Sequence, residues 1–290
     1  MSFTSVTAIC VTYESAAVIG GALRSLPPAC KAIVVDNASR DNSANLAEEC
    51  GAQVIRRKVN AGFGVGCNDG IQAVSTPYVL LLNPDARLRP GALEALLLSA
   101  EQHLDVWMLV PTLYREDGSR FEKWHTPICD RAFKPLTVSD PTVRPISFAS
   151  GAAILLRRDA ITQLGGFDPD IFLFFEDDDL SRRTLDAGGT ILHVVSAEVD
   201  HAGGTSSPPS SAMTEMKHWH MAWSEHHVRT KHGMPVWSRW KVMESAIKYG
   251  FARLRRDIHG QAKQYGALRG TLASLRGVKA QDVRSQTGAT

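Results

Sequence analysis

The sequence predicts an α/β protein in which a mostly parallel sheet is flanked by helices and followed by a helical C-terminal extension. Three observations support this prediction. Short β-branched and aliphatic runs alternate with helical stretches over the first hundred residues, a pattern typical of a parallel sheet covered on both faces. The 290 residues are 44% hydrophobic and 21% charged, an ordinary composition for a globular core. Beyond residue 208 the pattern becomes helical and basic.

The individual elements follow from hydrophobic periodicity and from breaks at glycine and proline. Strands are predicted at 6–12, 32–36, 53–56, 78–82, 148–156 and 190–195. Helices are predicted at 16–25, 41–50, 66–74, 91–102, 158–164 and 177–187. Five prolines weaken the pattern over 110–146, which is predicted to be irregular. A connector rich in Gly, Ser and Pro at 203–211 separates a domain of residues 1–208 from an extension of residues 209–290.

The two parts differ in charge. Residues 212–290 hold 14 Lys and Arg against 5 Asp and Glu, a net charge of +9, whereas residues 1–211 hold 18 against 25, a net charge of −7. A basic helical extension can contact an anionic membrane surface, nucleic acid or phosphorylated lipid, but such a run of charge is more often a solvated face. The acidic body would repel a phosphate backbone, so we expect no nucleic-acid partner.

The sequence also indicates a compartment. Its apolar runs are of strand length, far short of the roughly 20 residues that span a bilayer. The amino terminus lacks the basic region of a signal peptide, and the five cysteines show no CxxC spacing. We therefore expect a cytoplasmic protein with reduced, mostly buried thiols.

Polar residues follow several predicted strands, at the edge where ligands of such sheets bind. Asp36 could accept hydrogen bonds from a nucleotide, or cap a turn. The glycine-rich stretch 60–70 could cradle an anion or be a structural turn; its spacing fits neither a Rossmann fingerprint nor a Walker motif. Asp85 could bind Mg²⁺ or Mn²⁺, or cap a turn. His201 could complete that metal site, although any one of ten histidines is more often a surface residue.

The sharpest signal is a run of four acids, Glu176 to Asp179, directly after the aromatic stretch 171–175. Adjacent carboxylates repel one another, and the helix dipole offsets this by only about 0.3–1 kcal/mol each. Apolar neighbours disfavour the charged form of a carboxyl group and raise its pKa towards general-base use. The run therefore indicates a catalytic site in preference to a solvated helix start.

Taken in order, these segments resemble the family 2 inverting glycosyltransferases with a GT-A fold, and especially their bacterial rhamnosyltransferase-like branch. The resemblance covers roughly residues 5–210 and rests on seven motifs in register. They are Val11-Thr-Tyr-Glu14, Val35-Asp-Asn-Ala-Ser39, Asn60-Ala-Gly-Phe-Gly64, Leu82-Asn-Pro-Asp85, Gly165-Gly-Phe-Asp168, Phe175-Glu-Asp-Asp-Asp-Leu180 and His201-Ala-Gly-Gly204.

The resemblance implies a role for each matching position. Asp85 stands where the family has the last acid of its Asp-x-Asp metal motif, and His201 matches a late metal or diphosphate contact. Asp177 matches the catalytic base and Glu176 its acceptor-site partner, although four acids in a row leave the base assignment open by one residue. The residues implied to bind the donor nucleotide are Thr12, Tyr13, Glu14, Asp36, Asn60, Gly62 and Asn83.

The implied reaction moves a sugar, rhamnose or another deoxy-hexose, from a nucleoside-diphosphate donor of the dTDP or UDP type. The acceptor would be a hydroxyl of a saccharide or lipid-linked saccharide in the synthesis of cell-surface polysaccharide. A divalent metal, Mg²⁺ or Mn²⁺, would neutralise charge that develops on the diphosphate. A flap, for which residues 115–145 are the candidate, would close over the donor.

The resemblance also gives the extension a role at the inner face of the plasma membrane, where relatives in this branch commonly act on lipid-linked saccharides. Four tryptophans interleaved with basic residues would suit a helix in the membrane interface. They would equally suit packing against the catalytic domain or against the second subunit of a homodimer. The residues concerned are Trp219, Trp223, Trp237 and Trp240, with Lys217, Arg239 and Lys241.

Two other classes of function remain as alternatives. A nucleotidyltransferase would usually carry a basic residue in the loop after the first strand, and residues 12–17 have none. A non-catalytic module that binds nucleotide-sugars would tolerate loss of the acidic run, yet all four acids are present. Both alternatives are therefore disfavoured.

Overall fold

The computed structural model describes residues 3–134, 140–203, 210–236 and 238–283. The chain divides into two compact units, of which the first comprises Met1–Phe167 and Asp177–Ser207. The second comprises Asp168–Glu176 and Pro208–Thr290. A segment of nine residues from the middle of the sequence thus belongs with the C-terminal helices, a feature that the predicted division at residue 208 does not include.

The described residues contain ten strands and nine α-helices. The strands are β1 (Val6–Thr12), β2 (Lys31–Asp36), β3 (Gln53–Arg56), β4 (Tyr78–Leu82), β5 (Ala86–Leu88), β6 (Val106–Tyr114), β7 (Arg120–Phe121), β8 (Val143–Pro145), β9 (Ala153–Arg157) and β10 (Thr190–His201). The helices are α1 (Ile19–Arg24), α2 (Ser43–Glu49), α3 (Phe63–Gln72), α4 (Ala92–Gln102), α5 (Arg158–Gln163), α6 (Glu176–Asp186), α7 (Ser211–Lys231), α8 (Ser238–Leu254) and α9 (Ile258–Leu275).

All ten strands form one sheet in the order β3-β2-β1-β4-β9-β6-β10-β5, with β7 added to β6 and β8 to β10. The strands β3, β2, β1 and β4 are parallel. Strand β9 is antiparallel to both of its neighbours, and β10 is parallel to β6. The predicted α/β class is confirmed, and the parallel part of the sheet is its N-terminal half, while the remainder is mixed.

The central strands are buried on both faces, which explains their continuous apolar sequences. Every residue of β1 and of β4 is buried. Because successive side chains of a strand point to opposite faces, Leu80 joins a cluster with Leu93 and Leu97 of α4. Leu81 joins a separate cluster with Ile71 of α3. Burial of one leucine side chain contributes roughly 1.5–3 kcal/mol, so the two layers fix the strand ends on which the site is built.

The prediction of an irregular segment over 110–146 is wrong at its start. Residues 110–114 belong to β6, and its Pro111 pairs with β10 at a register shift between Val194 and Glu198. A proline lacks the N–H that a regular ladder requires, so it is tolerated beside such a bulge. Of the candidate flap 115–145, the strands β7 and β8 are part of the sheet, and residues 135–139 lie outside the described residues.

The second unit buries two of the tryptophans that the sequence offers for a membrane interface. Trp219 and Trp223 of α7 are about 5% exposed or less, and Trp223 Nε1 donates a hydrogen bond of 2.7 Å to the carbonyl of Val278. Trp240 of α8 is exposed, whereas Trp237 lies outside the described residues. The interfacial interpretation is therefore wrong for the α7 pair, which forms core. Among the described residues, each helix is either too short or too polar to span a bilayer.

Candidate active site

The ends of β1 and β2 place Thr12 beside Asp36 in register. Both side chains are buried. Thr12 Oγ1 has no hydrogen-bond partner among the described residues, and an unpaired buried hydroxyl is uncommon in a core. The carboxylate oxygens of Asp36 accept weakly from the backbone N–H of Ser39 at 3.3 and 3.4 Å. The strand ends therefore offer polar groups with spare hydrogen-bonding capacity.

The loops after β1 and β2 hold each other in place. Glu14 Oε1 accepts a hydrogen bond of 2.8 Å from the backbone N–H of Arg40, and the Glu14 N–H donates to Ser39 Oγ at 3.0 Å. Glu14 and Ala38 have φ angles of 52° and 64°, and this left-handed conformation is uncommon for non-glycine residues and clusters at functional sites. The same loop leaves the Tyr13 ring about half exposed.

Asn37 fixes the glycine-rich loop to the end of β2. Its Nδ2 donates to the carbonyl of Gly62 at 3.0 Å, and its Oδ1 accepts from the Ala61 N–H at 3.4 Å. Asn60 Oδ1 accepts from the Gly62 N–H at 2.9 Å, and Gly62 has a φ of 90° that favours glycine. Asn37 was not among the predicted site residues, although its buried side chain braces this loop through one carbonyl and one N–H.

Asp85 and His201 lie together although 115 residues separate them in the sequence. His201 is the last residue of β10, which runs longer than the predicted strand 190–195 and pairs antiparallel with β5, opposite Ala86. This pairing places His201 Nε2 at 3.3 Å from Asp85 Oδ1 and at 3.5 Å from Asn83 Nδ2. The Asp85 side chain is only 10% exposed. A carboxylate oxygen and an imidazole nitrogen converging in this way form a donor set that suits a divalent transition ion.

The acidic run begins helix α6, and its last member has a structural role. Asp179 is fully buried, and its Oδ2 accepts a hydrogen bond of 2.8 Å from Arg183 Nε. The same guanidinium donates to the carbonyls of Leu164 and Gly166. Because Asp179 pairs with a largely buried guanidinium that also holds two backbone carbonyls, its carboxylate has a structural role.

Asp177 differs from Asp179 in having a carboxylate oxygen to spare. Its Oδ2 accepts a hydrogen bond of 2.8 Å from the Gly151 N–H, while its buried Oδ1 has no hydrogen-bond partner within the described ranges. Burial raises the pKa of Asp177 to about 7, and the negative charge of Asp178 also raises this pKa. The hydrogen bond from the Gly151 N–H and the positive charge of Lys123 lower the pKa and partly offset the rise. A carboxylate that titrates near neutral pH is suited to proton abstraction.

Gly151 permits the close approach to Asp177. A Cβ at this position would lie 2.5 Å from Asp177 Oδ1, closer than a non-bonded Cβ approaches an oxygen, so a larger residue would displace the carboxylate. Residues 151–152 form a turn before β9 begins at Ala153, which is why the strand is shorter than the predicted 148–156. Neither Gly151 nor Lys123 was predicted from sequence, because no periodicity or motif distinguishes them.

The aromatic stretch before the acids belongs to the second unit and is fixed by α7. Ser224 Oγ donates a hydrogen bond of 2.9 Å to the carbonyl of Leu173, and the ring of Phe172 lies 4.6 Å from that of His220. Phe174 and Phe175 both have a φ of 66°, a strained conformation for bulky residues. Glu176, which is buried, ends this segment and begins α6.

Asp168 anchors the start of the same segment. Its Oδ2 lies 2.7 Å from Lys231 Nζ and 3.3 Å from His227 Nε2. Burial alone would raise the pKa of Asp168, but hydrogen bonds from His227 and Lys231 hold it well below its usual range. Asp168, Asp170 and His227 could offer three ligand atoms to a metal, yet the lysine ammonium already occupies this position as the counter-charge.

A comparison with known proteins identifies the family. A family model described as "Glycosyl transferase family 2" matches residues 7–165. Over 213 residues the chain is 28% identical to the N-acetylglucosaminyl-diphospho-decaprenol L-rhamnosyltransferase of Mycobacterium tuberculosis, an alignment that covers 62% of this chain and 69% of the relative. It is also 28% identical over 181 residues to the pre-mycofactocin glycosyltransferase of the same species, covering 59% and 37% of the two chains.

Solved structures support the fold. The mannosyltransferase PcManGT from Pyrobaculum calidifontis, solved with GDP-Man and Mn²⁺, aligns with a TM-score of 0.58 at 15% identity, over 99% of this chain and 76% of its own. S. aureus TarS 1-349 aligns with a TM-score of 0.56 at 14% identity, over 96% and 92%. GalNAc-T7, solved with UDP, GalNAc and Mn²⁺, aligns with a TM-score of 0.56 at 16% identity, over 79% of this chain and about half, 54%, of its own.

These likenesses confirm the predicted GT-A fold. They also favour a glycosyltransferase over the nucleotidyltransferase and the non-catalytic module that the sequence left as alternatives. The family match covers more than half of the chain, and the chain therefore belongs to glycosyl transferase family 2 and is a glycosyltransferase.

Proposed function

We propose that this enzyme transfers rhamnose or another deoxy-hexose, with inversion, from a dTDP- or UDP-type donor to a hydroxyl of a lipid-linked saccharide. The observation that carries the proposal is Asp177, whose Oδ1 is buried without a partner in the described structure while its Oδ2 is held by a backbone amide. The choice of sugar and acceptor rests on the likeness to the mycobacterial relative, an L-rhamnosyltransferase that acts on a decaprenol-linked sugar.

Asp177 acts as the general base. Its Oδ1 accepts the proton of the acceptor hydroxyl while the Gly151 N–H keeps Oδ2 in place. The acceptor oxygen bonds to the anomeric carbon as the bond from that carbon to the diphosphate breaks, so a single displacement inverts the anomeric configuration. The preceding residue, Glu176, is assigned to the acceptor side.

The nucleotide binds at the ends of β1 and β2. Thr12 and Asp36 offer a hydroxyl and a carboxylate to the base and ribose, and the exposed Tyr13 ring offers a stacking surface. Glu14 and Asn60 contribute by bracing their loops, because their side-chain oxygens already accept backbone N–H groups. The backbone at Gly62 and the amide of Asn83 complete this group of donor-binding residues.

Asp85 and His201 would hold a divalent cation, with Asn83 beside them. Their oxygen and nitrogen lie 3.3 Å apart, which suits one shared ion, and the imidazole favours Mn²⁺ over Mg²⁺ because Mg²⁺ prefers oxygen ligands. When bound, such an ion neutralises the charge that develops on the leaving diphosphate. The protein's part is to hold these two ligands at the strand ends next to the nucleotide loops.

A lipid-linked acceptor places the reaction at a membrane surface, and we propose that the enzyme works as a peripheral protein on the cytoplasmic face. The basic C-terminal extension supports this proposal through its charge of +9 over residues 212–290, from 14 basic against 5 acidic residues. A homodimer would be a competing use of the same extension.

The test combines nucleotide binding with transfer. Thermal unfolding is measured with dTDP, UDP and GDP, each with and without Mn²⁺ or Mg²⁺, since ligand at a hundred times its Kd stabilises by about 2.7 kcal/mol. Transfer is measured from dTDP-rhamnose to N-acetylglucosaminyl-diphospho-polyprenol. We expect Asp177→Asn to abolish transfer and keep the nucleotide shift, and Asp85→Asn to lose the metal-dependent part of that shift.

A matched control is Asp186→Asn, which removes a partly exposed acid of the same helix that pairs with Arg182. This variant should keep both nucleotide binding and sugar transfer. If Asp177→Asn lost nucleotide binding as fully as transfer, the base assignment would be wrong. A chain that shows no metal-dependent shift with any of the three nucleotides would contradict the assigned donor site.

A further inference from the structure

Helix α8 carries an exposed apolar stripe, here called the α8 outer stripe, that the catalytic proposal does not use. Its members are spaced by three or four residues and therefore share one face of the helix. Each is between 46% and 82% exposed. The α8 outer stripe consists of Trp240, Met243, Ile247, Phe251 and Leu254.

The core-facing side of α8 is a different one. Ala252 is buried, and the ring of Tyr249 lies 5.7 Å from that of Tyr265 on α9. At about 100° per residue, these two positions lie roughly opposite the centre of the stripe. The stripe is thus a second apolar face, and exposed apolar residues arranged in one continuous patch mark interaction surfaces rather than chance exposure.

The charges around the stripe are mostly positive. Residues 238–258 contain six Lys and Arg against two acids, and one of those acids, Glu244, pairs with Lys248. Arg239, Arg253 and Arg255 form no ion pair with the described residues. On the helical wheel Arg239 and Arg253 lie on one side of the stripe, and Arg255, just past the helix end, lies on the other together with the paired Glu244 and Lys248.

We propose that the α8 outer stripe docks parallel to the surface of a bilayer that contains anionic phospholipid. Apolar side chains flanked on both sides by cations match the acyl boundary and the headgroups of such a surface. A symmetric contact between two copies through this stripe would instead bring the same cations together. The inference deepens the proposed function by naming the surface that would meet a lipid-linked acceptor, and it rests on that function only for its biological purpose.

The experiment is co-sedimentation of the full chain with vesicles of phosphatidylcholine alone or with phosphatidylglycerol added. The parent protein should bind the anionic vesicles and bind neutral ones far more weakly. Phe251→Glu should lower the partition coefficient at least tenfold, and Arg255→Gln about fivefold, the factor that corresponds to about 1 kcal/mol per cation near such a surface. The matched control is Leu104→Glu, which adds the same charge at an apolar residue that is 73% exposed in the first unit and should bind like the parent.

The inference would be overturned if the parent protein stayed in the supernatant with anionic vesicles or if Phe251→Glu bound them as well as the parent. It would also be overturned if Leu104→Glu lost as much vesicle binding as Phe251→Glu. Sedimentation velocity without vesicles gives a further test, because a parent dimer that Phe251→Glu converts to monomer would identify the stripe as a contact between copies. Thermal unfolding verifies that each variant is folded. Transfer to a water-soluble acceptor analogue should be unchanged in Phe251→Glu, so that failure of vesicle binding and failure of the transferase proposal are seen separately.

Discussion

Replacing Asp177 with asparagine should stabilise the folded protein increasingly as the pH rises, while it removes sugar transfer. The reason lies in the surroundings of the carboxylate. Burial raises its pKa from the ordinary value of 3.8 to about 7, so the folded chain binds a proton there that the unfolded chain has already released at mildly acidic pH. Ionisation of the folded state is therefore unfavourable, and asparagine has no such ionisation.

The magnitude follows from the two pKa values. A raised carboxyl pKa contributes stability that is fully present below about pH 4 and is lost as the pH rises through about 7. Between about pH 5 and pH 8 the parent should lose on the order of 2.5 kcal/mol through this group, and the variant should not. For a protein of this size, about 2–4 °C of Tm correspond to each kcal/mol, so the Tm difference in favour of the variant should grow by about 5–10 °C.

The assay is thermal unfolding of the parent and of Asp177→Asn across this pH range, in the absence of nucleotide and metal. The control is Asp159→Asn, whose carboxylate is 83% exposed and which should follow the parent at every pH. Transfer activity of the parent should fall about tenfold for each pH unit below about 7, because only the ionised carboxylate accepts a proton. A Tm difference that stays constant from pH 5 to pH 8 would refute the idea of a desolvated Asp177, whatever the activity of the variant.

Three further predictions concern the surroundings of the site. Gly151→Ala should reduce kcat at least a hundredfold with little change in nucleotide affinity, because its Cβ would collide with Asp177 Oδ1; transfer kinetics beside a nucleotide titration test this. His201→Ala should weaken nucleotide binding in Mn²⁺ but not in its absence, as measured by calorimetry, and equal weakening in both would contradict a metal role. Asn68→Ala should lower the free energy of unfolding by about 2 kcal/mol, because the Asn68 side chain hydrogen-bonds both the N–H and the carbonyl of Phe167. An unchanged free energy of unfolding in denaturant would show that these two hydrogen bonds do not stabilise the fold.

Local sequence patterns predicted the strands of the parallel half well. The runs that became β1, β3 and β4 have the predicted bounds, since each is a short apolar or β-branched stretch between clear breaks. The prediction failed at β6, because a proline such as Pro111 normally interrupts a strand. Its tolerance depends on a bulge in β10, and pairing between segments about eighty residues apart leaves no trace in local periodicity.

The site was predictable only where a side chain follows a strand. Asp85 and His201 were expected to lie together, and they do, because the edge of a sheet collects the ends of its strands. Among the four acids the sequence could not choose. The proposal of Asp177 as the base rests on its hydrogen bond with the Gly151 amide and on the pairing of Asp179 with Arg183, neither of which the sequence shows. Asn37 was overlooked because its role, bracing a distant loop, resembles any polar turn residue in sequence.

The assignment of Asp168–Glu176 to the C-terminal unit has a consequence for protein engineering and for the evolution of related chains. Helix α7 holds this stretch through Ser224, His227 and Lys231, and the stretch leads directly into Asp177. A truncation after residue 207 would therefore not release an intact catalytic module, because it would remove the support of the residues that precede the proposed base. For the same reason the C-terminal helices could not be exchanged between homologues as an independent cassette without exchanging these nine residues with them.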